Sequence, residues 1–192
     1  MGRGGGKLFA RLKDGVLAVA LLFLGILIVA KLEGLNETRS LGVFMAIDGD
    51  TLSRHGERYR IVGIDAPELQ QTCRRGQDDW ACGQDARAYL AAVMGEGSLA
   101  CTGNSRDRYR RLLVRCRAGD VDLGAAMVAA GLAVRTEYFL YGAEERQAQS
   151  DARGLWGATF EMPSDWRRER KAADIETPLA GFAELVRSLT GW

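Results

Sequence analysis

Three short segments hold the residues whose types and spacing could do chemistry. They are Ile47-Asp48-Gly49-Asp50-Thr51, then Tyr59 to Glu68 (YRIVGIDAPE), and Asp107-Arg108-Tyr109-Arg110-Arg111. Asp50, Asp65 and Glu68 supply carboxylates, and Arg60 and Arg111 supply guanidinium groups. Cleavage of a phosphodiester needs these types: oxygens for a hard cation, a base for water and positive charge on the phosphate. Taken singly, each residue has a plainer reading. Asp50 alone would be a turn-capping aspartate, and Glu68 alone a solvated loop residue.

The elements that must position these residues are short. Residues 43–47, 51–53, 59–64, 98–102 and 111–116 carry the apolar and β-branched content of strands. Residues 54–57, with His55, read as a hairpin turn. Residues 84–94 predict a helix with Ala86, Tyr89, Leu90, Val93 and Met94 on one face and Gly95 as its stop. Residues 122–130 predict a second helix, capped by Asp122 and ended by Gly131. Residues 142–153 predict a third, ended by Gly154. Five strands with interleaved helices suit a small closed barrel, but the pattern alone does not separate it from other α+β folds.

Arg60 and Asp65 pose a geometric problem. They are five residues apart, so one regular strand would point them to opposite faces. The strand must end or bend between them, and Gly63 is the candidate position. Pro67 fixes its own φ and keeps Ala66 extended, so the chain should leave the strand as a turn that brings Glu68 back. Asp48 is the expected turn-former of the first segment.

Composition narrows the chemistry. The net charge of the 192-residue chain is +1, so overall charge does not argue for nucleic acid. Its distribution does: Arg106, Arg108, Arg110, Arg111, Arg115 and Arg117 crowd around a single acid, Asp107. Such a basic stripe attracts a phosphate backbone, although a solvated hairpin would look similar. A lone histidine, His55, excludes a multi-histidine zinc site.

Residues 15–30 carry no charge and follow Arg3, Lys7, Arg11 and Lys13. Sixteen residues is slightly short of the roughly 20 needed to span a bilayer. The basic flank would keep residues 1–13 in the cytoplasm. Two readings stay open. One is a retained signal anchor, placing the rest on the periplasmic side of an inner membrane. The other is a cleaved signal peptide ending at Ile28-Val29-Ala30, with secretion. Four cysteines fit an oxidising compartment. Cys101 and Cys116 lie on segments that read as facing strands, which leaves Cys73 to pair with Cys82. The rival is a four-cysteine zinc site, disfavoured by the absence of a Cys-x-x-Cys knuckle.

The ordered set resembles the staphylococcal nuclease (thermonuclease-like) family. The matching residues are Asp48-Gly49-Asp50-Thr51, Arg60, Asp65-Ala66-Pro67-Glu68 and the Asp107-x-Tyr109-x-Arg111 pattern. Gly131-Leu132-Ala133, Tyr141, Gly154-Leu155-Trp156 and Trp166-Arg167 extend it over roughly residues 42–168. The resemblance implies an α+β fold: a five-stranded oligonucleotide-binding (OB) type barrel with three helices. The full expectation adds a transmembrane helix before it. The domains would be an N-terminal segment over 1–40, a nuclease-like domain over 41–168 and an extension over 169–192. In that extension Leu179, Phe182, Leu185, Val186 and Leu189 recur at helical spacing.

The resemblance also implies roles. Asp50, Asp65 and the carbonyl of Ala66 would hold Ca²⁺. Glu68 would be the general base, and Arg60 and Arg111 the phosphate clamp. Arg108 and Tyr109 would contact a terminal phosphate, and Tyr138 and Tyr141 would line the base pocket. The family often has glycine where Arg110 stands, so a positive φ there would strain this chain. The expected function is a Ca²⁺-dependent phosphodiesterase acting on DNA or RNA outside the cytoplasm, as a monomer. The alternative is an inactive OB-type module that binds nucleic acid or protein at the membrane.

Overall fold

The computed structural model describes residues 5–35 and 38–172. The chain divides into two compact units, residues 1–38 and 39–192. The first contains one helix, α1 (Gly5–Leu35). Its side chains from 14 to 29 are exposed, including Val19 and Leu22. The expected helix over 15–30 therefore forms. Among the described residues, however, no helix is long and apolar enough to cross a membrane. At the 1.5 Å helical rise, the sixteen uncharged residues reach about 24 Å, short of a hydrocarbon core of about 30 Å.

β1 (Thr38–Gly42) begins at the boundary, and the second unit continues with β2 (Met45–Ala46), β3 (Thr51–Arg54), β4 (Glu57–Ile61) and β5 (Ile64–Asp65). A hairpin of β6 (Cys73–Arg75) and β7 (Asp78–Trp80) leads into α2 (Cys82–Met94). Then come β8 (Leu99–Arg106), β9 (Leu112–Ala118), β10 (Val121–Asp122) and α3 (Leu123–Ala129). The unit continues with β11 (Val134–Arg135), α4 (Gly142–Ser150), a 3-10 turn at Gly154–Gly157 and α5 over 163–172.

The main sheet runs β1-β8-β9-β4-β3-β2, with β10 added on β9. β1 and β2 are almost continuous in the chain yet occupy opposite ends of this order. The sheet therefore curls round on itself. Counted as one bent strand, they join β3, β4, β8 and β9 to give the five long strands expected of an OB-type fold. β4 and β9 are parallel, whereas β3–β4 and β8–β9 are antiparallel. His55 and Gly56 both have positive φ and join β3 to β4 as a two-residue hairpin.

Alternation along the strands builds the core. Leu112, Val114 and Cys116 of β9 are buried, as are Tyr59 and Ile61 of β4, which flank half-buried Arg60. Ala86, Leu90 and Met94 of α2 and Met127 and Val128 of α3 close over that face. Burying each large apolar side chain contributes about 1.5–3 kcal/mol. Tyr89 and Val93, expected on the inner face of α2, are less buried because the contact stripe is narrower. Asp122 caps α3 by accepting from Ala125 N. α4 ends at Ser150, earlier than residue 153, because Ala152 turns to a positive φ.

Both expected disulfides are present, Cys73–Cys82 and Cys101–Cys116. The latter joins directly facing residues of β8 and β9. Among the described residues no cysteine is free, which removes the zinc alternative. The apolar positions 179, 182, 185, 186 and 189 lie outside the described residues.

Candidate active site

Asp50 enters the site from the turn between β2 and β3. Asp48 shapes that turn, as expected: its Oδ1 accepts from Asp50 N (2.9 Å) and Thr51 N (2.6 Å). The Asp50 carboxylate is buried, 3% exposed. It accepts from Thr51 Oγ1 (3.0 Å), Arg60 Nη1 (2.7 Å) and Ala66 N (3.2 Å).

Arg60 reaches Asp65 with its other nitrogen, Nη2 to Oδ1 at 2.7 Å. The parity problem is solved by ending β4 at Ile61. Gly63, at φ +79°, turns the chain so that Asp65 in β5 points back to Arg60. β5 leaves the main sheet and pairs with β11. A Cβ at residue 63 would also meet Leu140 Cδ1 at 2.7 Å.

Glu68 sits in the turn after Pro67. Gln71 holds that turn twice, donating its N–H to Glu68 O (2.7 Å) and accepting Glu68 N on its side-chain oxygen (3.2 Å). α2 begins against the same turn, and a Cβ at Gly83 would lie 1.8 Å from Glu68 O. The Glu68 carboxylate accepts from Arg167 Nη1 at 2.7 Å. The other nitrogen of Arg167 lies 3.0 and 2.9 Å from the two oxygens of Asp65.

Arg111 is held by Asp107, which accepts from its backbone N and Nε and pairs with Nη2 at 2.8 Å. Arg111 Nη1 donates to Thr51 Oγ1 at 3.3 Å. Thr51 thereby links Arg111 to Asp50. Arg110 does take the positive φ that glycine favours, +65°. The loop nevertheless keeps its turn, Arg110 N to Asp107 O at 2.9 Å, and Arg111 stays aimed inward.

One open cavity of about 660 Å³ is lined by Asp48, Arg58, Arg60, Glu68, Asp107, Arg108, Tyr109, Arg111 and Arg167, and the buried Asp50 and Asp65 meet it through Arg60. Tyr109 is exposed, with Arg108 and Arg111 over its ring. Tyr138 and Tyr141 stand outside the described lining. Tyr138 is exposed beside Phe139. Tyr141 packs on the core near Gly63 and Gly124 and donates its hydroxyl to Asp122. Burial and the Asp122 charge push the Tyr141 hydroxyl well above the usual phenol range.

Burial pushes the Asp50 carboxyl up to about 7, with Asp48 and Asp65 adding to it and Arg60 opposing it. For Arg60 the balance runs the other way. Burial would lower it, but Asp50 and Asp65 outweigh this and hold it charged. The corner gathers two buried carboxylates, Asp50 and Asp65, on Arg60, with Arg167 also on Asp65. Carboxylate oxygens suit a hard divalent cation, which completes its shell with backbone carbonyls and water. Among the described residues, no three metal-ligating side chains converge as a ready-made cage. Asp65 and Glu68 are instead spanned by Arg167.

Two residues of the site carry no role in the sequence reading. Gln71 has no local signal, because a glutamine three residues after Glu68 reads as loop. Arg167 enters the resemblance only within Trp166-Arg167, with no role attached, and its contacts with Asp65 and Glu68 come from its tertiary position.

A family model described as staphylococcal nuclease homologue matches residues 58–158, just over half of the chain. The succinoglycan biosynthesis protein ExoI of Rhizobium meliloti is 34% identical over 125 residues, 62% of this chain. The chain spans 65% of that protein's length. An uncharacterized endonuclease of Escherichia coli O157:H7 is 30% identical over 138 residues, 67% of this chain and 84% of its own. The probable endonuclease LCL3 of Scheffersomyces stipitis is 27% identical over 131 residues, 60% of this chain and 54% of its own. The match includes Arg60, Asp65, Glu68 and Arg111, which share one site with Asp50 here, and the chain belongs to the staphylococcal nuclease family of nuclease hydrolases.

Proposed function

We propose that the chain is a Ca²⁺-dependent phosphodiesterase that hydrolyses DNA or RNA. The observation that carries this reading is the double contact of Arg60 with Asp50 and Asp65, on one cavity with Glu68 and Arg111. Asp50, Asp65 and the Ala66 carbonyl would hold Ca²⁺, which when bound offsets charge on the phosphate oxygens.

Glu68 takes a proton from water as the water oxygen attacks phosphorus. The new P–O bond forms as the P–O5′ bond breaks, the leaving O5′ takes a proton from solvent, and the products end in 3′-phosphate and 5′-hydroxyl. Arg60 and Arg111 stabilise the charge that grows on the phosphoryl oxygens, a term worth about 2.7–4 kcal/mol per donor in comparable sites. Asp107 fixes the direction of Arg111 by taking two of its side-chain nitrogens, which leaves Nη1 facing Thr51 and the site. Arg108 and Tyr109 flank the entrance and suit a neighbouring phosphate. Tyr138, exposed beside Phe139, offers a face for base stacking.

We place the active domain in an oxidising compartment outside the cytoplasm. The support is the pair of disulfides, which persist where thiols are not kept reduced. In this reading residues 15–30 serve export or anchoring, and their exposed apolar side chains support a lipid-facing role.

The test is cleavage of single-stranded DNA by the full chain in Ca²⁺ or EDTA, alongside Glu68→Gln. Calcium-dependent cutting that collapses in the variant is expected. A folded wild type that binds Ca²⁺ and cuts nothing defeats the reading.

A further inference from the structure

Arg167 lies beyond the region matched by the family model, on α5 and about a hundred residues from its partners. Its placement is fixed from both sides. Pro163 opens α5, where its missing N–H costs no helical bond. Just before it, Glu161 O accepts from the buried Gln71 side chain at 2.8 Å. Gln71 is the residue that also holds the Glu68 turn, so one amide sets the distance between Glu68 and the start of α5.

Most of the acceptor capacity of Asp65 is taken: its Oδ1 accepts from Arg60 and Arg167, and its Oδ2 from Arg167. A cation on the remaining Oδ2 site would lie against the Arg167 guanidinium, and like charges at that separation favour displacing one guanidinium. Arg60 is tied by its second nitrogen to buried Asp50 and has a side chain 18% exposed. The Arg167 side chain is 39% exposed, and its second partner, Glu68, is itself 31% exposed. Arg167 is the group that yields. Once off Asp65 it remains on the wall of the cavity, beside Arg60 and Arg111, where a backbone phosphate would lie.

We propose that Arg167 is a further substrate-binding residue that exchanges partners. It neutralises Asp65 and Glu68 in the cation-free protein and turns to a substrate phosphate when the carboxylates take up Ca²⁺. This rests on the nuclease reading and adds to it a third arginine and an order of events. A guanidinium suits both states, because it pairs two donors with either a carboxylate or a phosphate.

The test uses the full chain as wild type, Arg167→Gln and Arg167→Lys. Calorimetry measures Ca²⁺ binding without nucleic acid. Binding of a phosphorothioate-linked single-stranded oligonucleotide is then measured in Ca²⁺ across a salt series. Removing a competing internal cation should tighten Ca²⁺ binding by about tenfold in Arg167→Gln, within the usual range of coupling between two ligands. Oligonucleotide binding should weaken, and the slope of log K against log salt should fall by about one, as for a lost phosphate contact. Arg167→Lys should restore the slope but not the full affinity. Unchanged or weaker Ca²⁺ binding in Arg167→Gln, or an unchanged salt slope, overturns the proposal. A wild type that cuts DNA with Ca²⁺ while Arg167→Gln matches it in both measurements sinks this proposal alone. A folded wild type that binds no Ca²⁺ sinks the nuclease reading with it.

Discussion

Gln71 and Glu68 hold each other through both backbone and side chain. The Gln71 N–H donates to Glu68 O at 2.7 Å, and Glu68 N donates to the Gln71 side-chain oxygen at 3.2 Å. Gln71 is 1% exposed, so water cannot replace these bonds without opening the loop. Gln71→Ala leaves Glu68 N and Glu161 O without their partner. The expected loss of stability is about 1–3 kcal/mol. The expected loss in kcat is larger than that of a surface substitution in the same loop, because the turn that aims Glu68 loosens. Thermal melting and steady-state kinetics on single-stranded DNA check both, and a variant with wild-type kcat would remove Gln71 from the positioning of Glu68.

Arg60 is the next case, since it is shared by two buried carboxylates. Arg60→Ala leaves Asp50 and Asp65 facing each other with only Arg167 nearby. Breaking a buried pair in this way costs about 3–5 kcal/mol. Arg60→Lys keeps the charge, but one ammonium lacks the fork that spans both acids, so it should recover only part of the loss. Added Ca²⁺ should raise the melting temperature of Arg60→Ala more than that of wild type, because the cation then also relieves the repulsion between Asp50 and Asp65 that Arg60 relieves in wild type. Equal shifts in the two proteins would argue that Ca²⁺ binds elsewhere.

Arg110 carries a backbone cost that can be measured. At φ +65° a residue with a Cβ is disfavoured by about 1–2 kcal/mol. Glycine removes that strain but gains freedom in the unfolded chain, about 0.4–1 kcal/mol in the other direction. Arg110→Gly should therefore leave stability unchanged or raise it by up to about 1.6 kcal/mol. Arg110→Val should lower it by more than 1 kcal/mol, since a β-branched residue suits this region least. Denaturant unfolding of the two variants separates them. A clear destabilisation by glycine would mean that the Arg110 side chain contributes more than its backbone costs.

Local chemistry in the sequence reached the parts of this structure that local chemistry decides. Asp122 caps α3, Asp48 folds its own turn, and the five-residue spacing of Arg60 and Asp65 located the bend at Gly63. Facing strands placed Cys101 opposite Cys116. What stayed hidden is set by contacts between distant parts of the chain. Arg167 reaches Asp65 across 102 residues, and Gln71 reaches Glu161 across 90. No periodicity records either contact. The β6–β7 hairpin escaped for a different reason. Its Cys73-Arg74-Arg75 and Asp78-Asp79-Trp80 strands are too charged to read as β, and the bridge from Arg74 to Thr159 supports them from outside. The family match begins at residue 58, after Asp50, and the contact with Arg60 ties that first carboxylate to the others as the Asp48-Gly49-Asp50-Thr51 resemblance implied.

The two disulfides should separate stability from catalysis. Cys101–Cys116 joins two strands that already pair along most of their length. Its loop of about 15 residues predicts about 3 kcal/mol of stabilisation, through the unfolded chain. Cys101→Ser with Cys116→Ser should therefore lower the melting temperature and leave kcat near wild type at low temperature. Cys73–Cys82 closes a shorter loop, so its share of stability should be smaller. That loop, however, contains the β6–β7 hairpin and ends at Cys82 beside Gly83, whose backbone abuts Glu68. Cys82 Sγ also lies 3.4 Å from Gln71 O. Cys73→Ser with Cys82→Ser should cost less in melting temperature and more in kcat than the first pair. Measuring both quantities for both double variants decides the point. If kcat falls in proportion to stability in each, the bond at 73–82 has no special connection to the Glu68 turn.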